Sequence, residues 1–145
     1  MQGMSIRDLS DNHVAFDLRD LFETLGPLAL TAWWRCRTPV WYIAEEDATI
    51  DALEWRDGKP EWLRGAELLT ETRALHQVLD GVIEGVRSDV PPVNGALSPW
   101  VVLRAVDSSW LEVYSDDSNI LTAVRDRFSD VRAPVYTADD AATDY

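Results

Sequence analysis

The stretch 99–117, PWVVLRAVDSSWLEVYSDD, constrains the fold more than any other part of the chain. Trp100, Val102, Arg104 and Val106 alternate with Val101, Leu103, Ala105 and Asp107, and the alternation resumes from Trp110 to Tyr114. A period of two in β-branched and aromatic residues predicts two strands, and the short polar break between them predicts a hairpin. Aspartate and serine suit such a break because their side-chain oxygens bond nearby backbone N–H groups. Asp107, Ser108, Ser109, Glu112, Asp116 and Asp117 are therefore read as shaping the hairpin rather than as a chemical site. A metal-dependent nuclease core would need a lysine beside Glu112. Val113 and Tyr114 follow instead, and the chain's one lysine, Lys59, is far upstream.

The remaining segments are read from periodicity. Residues 10–26 predict a first helix, capped by Ser10, Asp11 or Asn12, with Val14, Leu18, Leu21, Phe22 and Leu25 on one stripe. Gly26-Pro27 stops it. LALTAWWRCR and VWYIA predict strands on either side of Thr38-Pro39. Leu30, Ala32, Trp34 and Cys36 would share one face, and Trp33, Arg35 and Arg37 the other. Acidic residues favour a helix N-terminus, so a short helix is placed at about 49–56, with a hairpin at Asp57-Gly58 as its rival. Residues 65–86 carry the best helical pattern, with Leu68, Leu75, Leu79, Val82 and Val86 on one side. Gly81 and Gly85 weaken its far end, so residues 82–87 are open to either helix or strand. Residues 118–128 predict a last helix, capped by Asp117 or Ser118, with Ile120, Leu121, Val124 and Phe128 inward.

Helices and strands mix without regular βαβ alternation. This predicts an α+β fold, an antiparallel sheet of about four to five strands packed against three to four helices. One globular domain over residues 1–132, followed by an acidic, flexible tail over 133–145, accounts for the 145 residues.

The net charge of −13, from 26 acidic and 13 basic residues, bears on partners. Such a chain repels phosphates and anionic lipid heads, so direct nucleic-acid binding and membrane attachment are disfavoured and basic partners are favoured. A single cysteine, Cys36, makes no internal disulfide and suits a reducing compartment. With neither a signal peptide nor an apolar run long enough to span a bilayer, the expectation is a cytoplasmic protein.

No catalytic signature is present. His13 and His76 sit outside metal-ligand spacings, Asp116-Asp117 lacks a calcium-loop pattern, and phosphate-binding glycine motifs are missing. Neither a metal nor a cofactor is expected. Cys36 lies between two arginines, but strand alternation turns them to the opposite face, which makes it a small buried residue. Ser108 and Ser109 lack the GxSxG elbow. His76 is expected to be partly exposed without a role.

What remains is an acidic scaffold with seven tryptophans. Trp34, Trp41, Trp100 and Trp110 are assigned to the core. The densest acidic run and two candidate aromatic anchors, Glu45, Glu46, Asp47, Asp51, Trp55 and Trp62, are the expected partner-binding residues. The expected function is non-enzymatic: an acidic protein-binding module, most concretely an immunity- or antitoxin-like inhibitor that sequesters a basic toxin or nucleic-acid-binding enzyme. A DNA mimic is a close relative of that idea. The alternatives are a small enzyme with a carboxylate or histidine site near His76, Asp80 or Glu84, and an accessory subunit forming a homo-oligomer.

Overall fold

Strand pairing propagates outward from the hairpin in a computed structural model that describes residues 1–10, 13–14, 17–54, 61–93 and 98–138. The described strands are β1 (Gln2–Ile6), β2 (Leu9–Ser10), β3 (His13–Val14), β4 (Trp33–Cys36), β5 (Trp41–Ala44), β6 (Leu63–Arg64), β7 (Leu75–Val86), β8 (Val101–Val106), β9 (Trp110–Ser115) and β10 (Val131–Arg132). The helices are α1 (Leu18–Leu25), α2 (Leu28–Thr31), α3 (Gly65–Glu71) and α4 (Ser118–Arg127). The main sheet runs β10-β1-β9-β8-β7-β4-β6, and β5 also pairs with β7. Eight antiparallel strands therefore replace the four to five expected, while the α+β character stands.

The hairpin forms as its alternation requires, with Arg104 opposite Glu112 and Val106 opposite Trp110. Asp107 and Ser108 have φ of 52° and 56°, and Ser109 N–H donates to Val106 O at 2.9 Å. Two positive φ values in the loop match a primed turn, whose twist suits the flanking strands.

Most corrections come from pairing that local periodicity does not reveal. Residues 65–86 are not one helix: α3 ends at Glu71 and β7 begins at Leu75. β7 is hydrogen-bonded along both edges, by β8 on one side and by β4 and β5 on the other. Val78, Val82, Ile83 and Val86 suit that setting because β-branched side chains lose rotamer freedom in helices. The two glycines have packing roles. A Cβ on Gly85 would lie 2.8 Å from the Trp34 ring opposite it, and one on Gly81, at φ +143°, would lie 3.0 Å from Val40 Cα.

The first helix starts later than expected, at Leu18, because Asp17 and Asp20 form a reciprocal capping box. Upstream, β2 pairs with β3, so Val14 leaves the helical stripe while Leu18, Leu21, Phe22 and Leu25 stay buried on it. Residues 28–31 form α2 instead of a strand, leaving Leu30 42% exposed. The acidic stretch makes two 3₁₀ turns, Glu45–Asp47 and Asp51–Leu53, where a helix at 49–56 was expected. Asp57-Gly58 and Trp55 lie outside the described residues.

All four helices lie with one face of the sheet. Leu21 and Phe22 of α1, Ala29 of α2, Leu68 of α3 and Leu121 and Val124 of α4 join Trp34, Val101, Leu103 and Val113 in a single core. Val82, Val102 and Tyr114 face the other way, where Ala138 packs on them. The segment expected to be a flexible tail from residue 133 thus lies across the outer face as far as residue 138.

Candidate functional site

The interrupted strand formed by β4 and β5 carries the most distinctive exposed surface. Even-numbered residues from Ala32 onward point into the core: Trp34, Cys36, Val40 and Ala44 are buried, and Tyr42 packs against them. Odd-numbered residues take the other side, so Trp41 is 69% and Ile43 49% exposed. The assignment of Trp41 to the core is therefore wrong. Carrying the alternation of Trp34 and Cys36 through the Thr38-Pro39 break would have placed it outside. Trp34 and Trp100 are buried as expected, and Trp110 is half-buried.

Directly after β5 the chain turns through Glu45, Glu46 and Asp47, all exposed. Glu46 and Asp47 have φ of 51° and 55°, a left-handed pair that non-glycine residues adopt at a cost. Glu45 N–H donates to Ala74 O at 2.7 Å, and Ala48 N–H to Glu45 O at 2.9 Å, which hold the turn in place. A groove of about 550 Å³ opens between β5 and this turn, lined by Trp41, Ile43, Asp47, Thr49 and Glu54 among others. Tyr42 braces it from behind. Its hydroxyl donates to Glu54 at 2.7 Å and accepts from Ile50 N–H at 2.8 Å. Burial pushes the Tyr42 phenol above its ordinary pKa, and the Glu54 carboxylate adds to that.

The expected contact residues divide accordingly. Glu45, Glu46 and Asp47 share the groove's end of the sheet with Asp51, which is also exposed. Trp62 is half-buried with the Arg35 guanidinium 4.6 Å over its ring. Its neighbours Leu63 and Arg64 pair with β4, so it belongs to the other end of that strand. Arg7 similarly covers Trp110 and Arg64 covers Trp33, at 4.4 and 4.2 Å. These contacts give the arginine-rich basic set a structural use, since guanidinium stacks on aromatic faces.

Two carboxylates that spacing did not single out as binding residues are buried on the outer face. Glu84, 5% exposed, receives Arg35 Nε at 2.6 Å and Arg37 Nη2 at 2.6 Å. Glu112 is fully buried and accepts from Trp110 Nε1 at 3.1 Å, from the Tyr114 hydroxyl, and from the backbone N–H groups of Val135 and Tyr136 at 2.8 and 3.3 Å. The signal for both was present: Glu84 keeps the two-residue phase of Val82, and Glu112 that of Tyr114, the residues of the outer face.

The other chemical candidates are dispersed. His76 is exposed on β7, and Asp80 accepts from Asp107 N–H at 3.4 Å. Among the described residues no group of three His, Cys, Asp or Glu could hold a metal ion, and no helix is long and apolar enough to cross a membrane. Cys36 is buried and its thiol donates to Ala52 O at 3.3 Å. Burial pushes that thiol from 9.0 up to about 12. Native protein should therefore resist iodoacetamide at pH 8 and react only when unfolded, as mass spectrometry of the two samples will read. Because the unfolded thiol ionises first, stability should fall as pH rises from about 9 towards 12.

The chain matches no protein-family model, no curated protein and no solved structure. Its function must be argued from this geometry.

Proposed function

We propose that the chain is a non-enzymatic, acidic protein-binding module, most concretely an immunity- or antitoxin-like inhibitor that sequesters a basic protein such as a toxin or a nucleic-acid-binding enzyme. The observation that carries this reading is the exposed pair Trp41 and Ile43 set beside Glu45, Glu46 and Asp47. An aromatic anchor next to a charged rim is the arrangement of a binding hot spot: the ring limits dissociation, and the charges speed encounter. The net charge of −13 extends the attraction for a cationic partner beyond the contact itself. A cytoplasmic setting, with its reduced thiols, fits a chain with one buried cysteine.

Capture from native lysate with the full chain as bait, released by a salt step and identified by mass spectrometry, tests the reading. One cationic protein released between low and moderate salt supports a sequestering inhibitor. Recovery of this chain alone, or of nothing, removes the proposal. With the captured protein, Glu46→Lys combined with Asp51→Lys should lower the association rate roughly tenfold at low salt and much less at high salt. Trp41→Ala should instead raise the dissociation rate and weaken binding by about 2 kcal/mol, roughly 30-fold. Unchanged affinity and salt dependence in these variants would place the contact elsewhere.

A further inference from the structure

The chain's own residues 134–138 lie across the outer face of the sheet as an extended segment. Their side chains alternate: Pro134, Tyr136 and Ala138 are half-buried, whereas Ala133, Val135 and Thr137 are exposed. Each inward residue meets a distinct seat. Pro134 lies beside Gly3, where an added Cβ would stand 3.3 Å from its ring. The Arg104 guanidinium lies 4.0 Å from the centre of the Tyr136 ring. Ala138 packs on the apolar set of Val82, Val102 and Tyr114.

The backbone is read as well. Glu112 accepts from two successive N–H groups, at Val135 and Tyr136, and Arg37 Nη1 donates to Ala138 O at 3.4 Å. Main-chain bonds with alternate side-chain seats give the two components of peptide recognition, affinity from the backbone and selectivity from the side chains. This segment lies across a sheet face, not along an edge.

Half of the segment stays outside: Ala133, Val135 and Thr137 are exposed, Val135 by 58%. A terminal segment with one side in water opens at lower cost than the sheet beneath it. The two carboxylates beneath it keep partners when it leaves: Glu84 holds Arg35 and Arg37, and Glu112 holds Trp110 Nε1 and the Tyr114 hydroxyl. Opening therefore strands no buried carboxylate, which would otherwise cost too much to permit it.

We propose that this face is a peptide-recognition cleft kept closed by the C-terminal segment, and that an extended peptide with an aromatic residue at the Tyr136 seat displaces it. The inference is independent of the acidic groove. The segment acts as a competing ligand in cis, so weakening it raises the apparent affinity for a peptide in trans.

The test uses the full chain and a fluorescent peptide copying residues 131–145. Full-length Tyr136→Ala protein should bind this peptide at least about tenfold more tightly than the unaltered protein does, and should not bind a peptide whose corresponding tyrosine is alanine. In the unaltered protein, hydrogen exchange should be at least about tenfold faster at the Val135 and Tyr136 amides than at Leu103 and Val113. A peptide signal indifferent to the tyrosine, no gain of binding in the variant, or protection at Val135 equal to that of the sheet centre would each overturn the proposal.

Discussion

Glu84→Ala should destabilise the protein by about 3–5 kcal/mol, because it leaves two neighbouring arginines with their shared counter-charge gone. Arg35 lies in β4, Arg37 follows directly after its end, and Glu84 lies in β7, with Arg35 directly opposite Glu84 in the pairing register. Both guanidiniums reach the carboxylate at 2.6 Å, and their side chains are only 21% exposed. Removing the carboxylate therefore leaves two like charges side by side without the anion they share. Urea titration followed by tryptophan fluorescence will measure it, as a midpoint shift with the m-value unchanged. Replacing all three with apolar residues of similar volume should recover most of the loss, since the desolvation penalty goes with the charges. A loss below about 1 kcal/mol in Glu84→Ala would mean that both arginines reach solvent and that the cluster contributes little.

Trp34→Ala should cost a similar amount, about 3–5 kcal/mol, by a different route. The ring is fully buried, 4.6 Å from Phe22 and 6.4 Å from Trp100 between centroids, the latter in an edge-on arrangement. Its Nε1 donates to Ala29 O at 2.8 Å, which ties α2 to β4. Truncation leaves a cavity on the Gly85 side and a buried carbonyl without its donor. Gly85→Ala should destabilise too, because the new methyl meets the indole. In the double variant Trp34→Phe with Gly85→Ala, the losses should be less than additive, as expected for two sites sharing one space. Near-UV circular dichroism and thermal melts will follow both. Full additivity would show that the ring and the glycine do not share that space in solution.

These two sites also mark the boundary between local and tertiary information. What the residues declare by themselves is local: the 101–115 hairpin, the α4 stripe of Ile120, Leu121 and Val124, the Gly26-Pro27 break, and the opposed faces of Trp34 and Arg35. Each follows from side-chain period and turn chemistry within about fifteen residues, and these do not depend on distant partners. The acidic run at 45–51 is equally legible, because burying unpaired carboxylates is costly and keeps them outside.

Pairing over long separations decided the rest. Leu75 to Val86 satisfies a helical and an extended pattern alike, and became a strand because three other strands bond to its two edges. β1 joins β9 across more than a hundred residues, and neither segment encodes that partner locally. Glu84 and Glu112 are buried because arginines and backbone donors arrive from other segments; without them the same residues would be solvated charges. Trp41 is exposed because β5 keeps the phase of β4 across a proline break, so the core takes Val40, Tyr42 and Ala44 instead. Periodicity told which residues can share a face, and only the completed sheet decided which face was covered, and by what.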